Sequence, residues 1–116
     1  MKIYVSGPMR GYKDFNKGSF SDAAFELRSV GHEVINPHEM DTNLGIQLVS
    51  PTGDVEDVPG WNENSMEEAI KRDVAAVLEC DGIYMLVGWH NSAGASAEYY
   101  IAKWAGNKNI MFEEAY

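Results

Sequence analysis

The chain alternates short β-forming runs with longer stretches of helical spacing. Ile3, Tyr4 and Val5 are β-formers that stop at Gly7-Pro8, so Lys2 to Ser6 reads as a first strand. Ser19-Phe20-Ser21-Asp22 resembles a capping box, and Phe20, Ala23, Ala24, Leu27 and Val30 keep helical spacing until Gly31. His32 to Asn36 follows as a second strand, closed by Pro37. Ser65-Met66-Glu67-Glu68 opens another helix, with an apolar stripe of Met66, Ala69, Ile70, Val74, Val77 and Leu78. Gly82 to Val87 is a continuous apolar run, which suits a strand covered on both faces. A helix from about Ala93 to Ala105, stopped by Gly106-Asn107, precedes a last strand at Asn109 to Phe112. Leu48 to Asn64 holds two prolines, two glycines and several acids, fits neither period, and reads as an exposed loop or lid.

Strand, helix, strand, repeated with short connections, predicts βαβ units. The expected fold is a small doubly wound α/β domain, Rossmann-like or flavodoxin-like, with a parallel sheet of about four strands and helices on both faces. The economical strand order is 2-1-3-4. Its switch point lies between the first and third strands, so a ligand is expected where the loops Gly7 to Tyr12 and Gly88 to Ser92 meet.

A length of 116 residues allows one domain, 1–116, and leaves no room for two. Nine basic against 18 acidic residues give a net charge of −9, which argues against an electrostatic grip on a nucleic-acid polymer or an anionic membrane. A small anion held by local donors remains compatible with that charge. Cys80 is the single cysteine, which excludes an intrachain disulfide and cannot by itself make a thiolate metal site. The start of the chain has no signal-peptide pattern, and a cytoplasmic location is the expectation.

The first loop, Ser6-Gly7-Pro8-Met9-Arg10-Gly11-Tyr12, sets an Arg among glycines that permit close backbone approach, a good clamp for phosphate or carboxylate. A glycine turn with a solvated Arg accounts for it equally well. The second loop, Trp89-His90-Asn91-Ser92-Ala93-Gly94, runs into a helix N-terminus whose amides suit an anion, although Ser92 taken alone is better read as the N-cap. Glu98 stands near the start of that helix among small neighbours, where favouring the helix dipole is the plainer role. Asp73 falls on the apolar stripe, where an unpaired charge is costly, and the alternative is an edge Asp paired with a neighbouring Lys or Arg. Two carboxylates beside an anion site suit glycosidic chemistry.

These residues resemble the nucleoside 2-deoxyribosyltransferases and the related 2′-deoxynucleoside 5′-monophosphate N-glycosidases. The resemblance is carried by Ile3-Tyr4-Val5-Ser6-Gly7-Pro8, Met9-Arg10-Gly11, Arg72-Asp73 running into Cys80-Asp81-Gly82-Ile83-Tyr84, and Ser92-Ala93-Gly94-Ala95-Ser96-Ala97-Glu98. It covers nearly the whole chain except Leu48 to Asn64 and is nearest to a small phage and bacterial branch of unassigned activity. It implies Glu98 as the nucleophile at C1′, Asp73 assisting base departure or positioning the sugar, and Tyr4 near the nucleophile. Ser6, Gly7, Met9, Arg10, Gly11, Ser92 and Gly94 would surround the 5′-phosphate. Trp89, His90 and His38, with Trp61 of the lid, are candidate base contacts, while buried surface and a satisfied structural histidine are the plainer readings. The family commonly has glycine where Tyr100 stands. The resemblance further implies a small nucleotide or nucleoside as substrate, no cofactor, and a homo-oligomer, a dimer or larger. A module that binds a nucleotide-derived signal without turnover is the competing reading.

Overall fold

In the computed structural model, which describes residues 1–114, the chain forms β1 (Lys2–Ser6), α1 (Lys17–Ser29), β2 (Glu33–Ile35), α2 (Pro37–Asn43), α3 (Ser65–Glu79), β3 (Gly82–Met85), α4 (Ala93–Ala105) and β4 (Asn109–Phe112). All strand pairings are parallel and the order is β2-β1-β3-β4, the doubly wound arrangement expected from the alternation. Tyr4 lies opposite Ile35 and Ile83, and Ser6 opposite Met85, so these share one face of the sheet. Because strand side chains alternate, Val5 and Tyr84 face the other way.

The two faces carry separate cores. Val5, Val34 and Leu86 pack against Phe20, Ala23 and Ala24 of α1. Tyr4, Ile83 and Met85 pack against Ala76 and Val77 of α3, Cys80, and Ala95 and Ala102 of α4. Alanines at these points let both helices lie close to the sheet and to each other, which brings their polar side chains within reach of β1.

Several local expectations shift. Helix α1 begins at Lys17, not at the Ser19 box, because Asp14, Phe15 and Asn16 form a left-handed turn (φ 49°, 56° and 65°) that delivers the chain to the helix early. Pro37 does not merely close β2. It occupies the first turn of α2, where its missing N–H costs nothing, and the Asn36 side chain caps the helix by accepting from the His38 N–H at 3.0 Å. On α3 the inward line runs through Asp73, Ala76 and Val77, leaving Ile70 and Leu78 half exposed.

The 48–64 stretch is exposed along most of its length and anchored at three points, Ser50, Gly53 and Val58, all buried. The Ser50 hydroxyl donates to Asp57 (2.6 Å) and accepts from the Asp54 N–H (3.0 Å). Asp14 and Ser50 exchange hydrogen bonds at 2.7 and 2.9 Å, and the Gly11 N–H donates to the Gly53 carbonyl at 3.2 Å. The segment is thereby strapped to the first loop. A Cβ on Gly53 would stand 2.4 Å from the Tyr12 carbonyl oxygen, at φ +72°, so glycine is required there twice over.

Candidate active site

Strand β1 points Tyr4 and Ser6 from the same face toward α4, two residues apart as the pleat dictates. Glu98, one and a half turns into α4, meets both. The Tyr4 hydroxyl donates to Glu98 Oε2 at 2.7 Å and the Ser6 hydroxyl to Oε1 at 2.7 Å, so each carboxylate oxygen has its own donor. Tyr4 and Ser6 are fully buried. Burial pushes the Glu98 carboxyl up to about 7, with the nearby Asp73 charge adding to the rise, while the two hydroxyl donors and Arg72 pull it down. Desolvation prevails because two neutral donors replace only part of a carboxylate's hydration. Tyr4 is held well above its ordinary value by burial, and then by Glu98 and Asp73.

Asp73 reaches the same region from α3. Its carboxyl is raised by burial against the lowering pull of Arg72, whose Nε lies 2.9 Å from Asp73 Oδ1. Arg72 Nη1 in turn lies 2.5 Å from Oδ1 of Asp41, a buried residue of α2. Asp73 is therefore both paired with a neighbouring Arg and close enough to influence Tyr4 and Glu98.

The loops after β1 and β3 meet as the strand order requires. Gly7 packs so tightly on the buried Leu86 that an added Cβ would lie 2.7 Å from Leu86 Cβ, and a Cβ on Gly88 would lie 3.2 Å from the Tyr12 hydroxyl. Arg10 and Gly11 are exposed in the first loop, and Met9 is partly buried against the α1-side core. Ser92 caps α4, its Oγ accepting from the Ala95 N–H at 3.2 Å, and Gly94 is exposed on the first turn.

Of the four candidate base contacts, Trp61 is partly buried on the 48–64 segment, and the other three each have neighbours of their own. Trp89 belongs to a cluster with Tyr99 and Phe112, ring centroids 4.6 and 6.0 Å away, and His90 is exposed beside it. His38 is buried, its Nε2 lies 2.8 Å from the Phe15 carbonyl oxygen, and its ring packs against Phe20 at 4.9 Å, tilted by 58°. Burial lowers its pKa, against the raising effect of the Phe15 carbonyl. Tyr100 is 64% exposed, its ring edge-on to that of Tyr99 with centroids 5.2 Å apart. One participant, Asp41, was not legible in the sequence, and one named residue, Ser6, has a partner the sequence did not indicate. Asp41 depends on α2, which periodicity does not reveal in seven residues, and the Ser6 contact with Glu98 depends on the height of α4 over the sheet. Among the described residues, no group of three His, Cys, Asp or Glu is placed to hold a metal ion, and no helix is long and apolar enough to cross a membrane.

Among solved structures, the chain is similar to a 2-deoxyribosyltransferase from the psychrotolerant bacterium Bacillus psychrosaccharolyticus, with a TM-score of 0.68 and 20% identity over 97% of this chain and 71% of that one. At that identity the likeness concerns the fold. No curated protein matches the sequence. A family model described as a domain of unknown function, DUF4406, matches residues 1–112.

Proposed function

The chain belongs to the DUF4406 family, and from that premise we propose that it cleaves the N-glycosidic bond of a nucleoside or deoxynucleoside 5′-monophosphate through a Glu98 nucleophile. The observation that carries this reading is the Glu98 carboxylate, desolvated and gripped at both oxygens by Tyr4 and Ser6, beside a second carboxylate at the switch point of the sheet. A carboxylate that has lost part of its hydration is a stronger nucleophile than a fully solvated one, and one poised near 7 is ionised in a substantial fraction at neutral pH. Attack of one Glu98 oxygen on C1′ breaks the C1′–N bond, and the bond electrons leave with the base, which takes up a proton from solvent water that is returned when the second water attacks C1′. Asp73 stands beside this step. Water adds to C1′ of the ester and restores the carboxylate, releasing the sugar phosphate, whereas a second base in its place gives transfer.

The phosphate is assigned to the meeting of the two loops, with Gly7, Met9, Arg10, Gly11, Ser92 and Gly94 around it. Arg10 supplies the charge. Ser6, also expected at the phosphate, is instead committed to Glu98 in the site as it stands. The outer face of α4, where Tyr100 and the 90% exposed Trp104 stand four residues apart, is assigned to a second copy of the chain. A cytoplasmic setting goes with this reading.

The test is chromatography of nucleosides, deoxynucleosides and their 5′-monophosphates after incubation with the wild type and with Glu98→Ala. Free base released by the wild type and abolished in the variant supports the reading. Binding that survives Glu98→Gln, with no base released from any substrate by the folded wild type, replaces it with a nucleotide-binding module.

A further inference from the structure

Adjacent residues on a helix diverge by about 100°, so neighbours in sequence do not ordinarily meet. Arg72 and Asp73 do. Arg72 Nε and Nη2 both fall 2.9 Å from a single oxygen, Asp73 Oδ1, and Nη1 lies 2.5 Å from Asp41 Oδ1 on α2. The guanidinium is thus held at opposite ends by two carboxylates from different helices. None of the three side chains is more than about one-fifth exposed, at 21% for Arg72, 18% for Asp73 and 8% for Asp41.

We propose that Arg72, anchored by Asp41, is the positioning residue for Asp73: it occupies Oδ1, leaves Oδ2 for the substrate, and keeps the carboxylate ionised. The inference rests on the reading of Asp73 as the group beside the departing base. The titratable groups that influence this cluster are Asp41 from α2, Tyr4 from β1, and Glu98 from α4. Arg72 supplies the cation among them. Its loss leaves Asp73 facing other carboxyls in a desolvated setting, which favours the protonated form. An ionised Oδ2 accepts a hydrogen bond from a sugar hydroxyl or a base N–H, and a protonated one loses that capacity at the oxygen bearing the proton. Asp41 is the anchor because an arginine freed at Nη1 regains the rotamers that carry it into solvent.

The experiment follows the Asp73 carboxyl carbon by NMR across pH in the full chain, for the wild type, Arg72→Gln and Arg72→Lys. Loss of the cation is expected to raise the Asp73 midpoint by about one pH unit or more. Lysine restores most of the midpoint because the charge returns, yet base release stays about tenfold or more below wild type at similar KM because the fork is lost. A midpoint unmoved in folded Arg72→Gln overturns the proposal. Should that variant not fold, the wild-type Arg72 Nε–H resonance decides, since it is expected to titrate with the Asp73 midpoint and an independent titration overturns the coupling. Asp41→Asn is expected to accelerate exchange of the Arg72 Nε–H, and unchanged exchange removes the anchoring role. If the wild type releases no base from any substrate, the proposed reaction fails while the carboxyl titration still decides the role of Arg72.

Discussion

Replacing Glu98 with glutamine separates the energetics of the site from any assumption about substrate. The carboxyl stands at about 7 in the folded chain against an ordinary 4.5, so between those values the folded state binds a proton that the unfolded state has released. Stability contributed by this group is therefore present at low pH and is lost as pH rises from 4.5 through 7. Each pH unit of difference corresponds to about 1.4 kcal/mol, and the full rise amounts to a cost of about 3 kcal/mol above neutrality. Glutamine is close in size, retains an acceptor for one hydroxyl, offers an amide donor to the other, and has no charge to desolvate. Urea unfolding of wild type and Glu98→Gln is expected to show a stability difference under about 1 kcal/mol at pH 5 that grows to about 3 kcal/mol in favour of the variant at pH 8.5. Comparing the two proteins at each pH cancels the titrating groups that do not interact with Glu98, leaving Asp73 and Tyr4 as its coupled neighbours. A difference that stays flat across this range refutes the desolvation argument, and with it the account of Glu98 as an activated nucleophile.

Gly53→Ala sets a Cβ 2.4 Å from backbone at a left-handed φ, so the strap over the first loop must shift. Limited proteolysis is expected to cut within 48–64 far faster than in wild type, with a stability loss of about 1–3 kcal/mol in urea melts. Trp104→Lys removes the most exposed large apolar side chain of the outer α4 face. Sedimentation is expected to show the wild type as a dimer or larger and the variant shifted to monomer with an unchanged circular dichroism spectrum. A wild type monomeric at tens of micromolar removes that assignment.

Order, type and spacing of the elements were legible in the chain because each rests on local physics. Helix α4 runs from Ala93 to Ala105 as its spacing and the Gly106 stop indicate, and β4 covers Asn109 to Phe112 as its β-formers do. The 2-1-3-4 order is the economical one for short right-handed crossovers, not the only one they allow, and the sheet adopts it, bringing the two candidate loops together. Local signals failed where tertiary contacts outweigh them. The left-handed turn at Asp14 to Asn16 is held by Ser50, 36 residues from Asp14. Helix α2 is too short for its period to register.

The same division runs through the site. That Tyr4 and Ser6 share a face is a property of any strand, and that Asp73 lies on the inner side of its helix is a property of spacing. That these groups and Glu98 converge, that Ser6 grips Glu98, and that Arg72 folds back on its neighbour to reach Asp41 depend on how closely α2, α3 and α4 approach. Packing of alanines at Ala76, Ala95 and Ala102 sets that approach. Sequence thus determined which side chains each strand and helix presents on its inner face, because side-chain type and helical phase are local. The tertiary structure decided their charge, because desolvation and through-space pairing exist only once distant segments enclose the same volume.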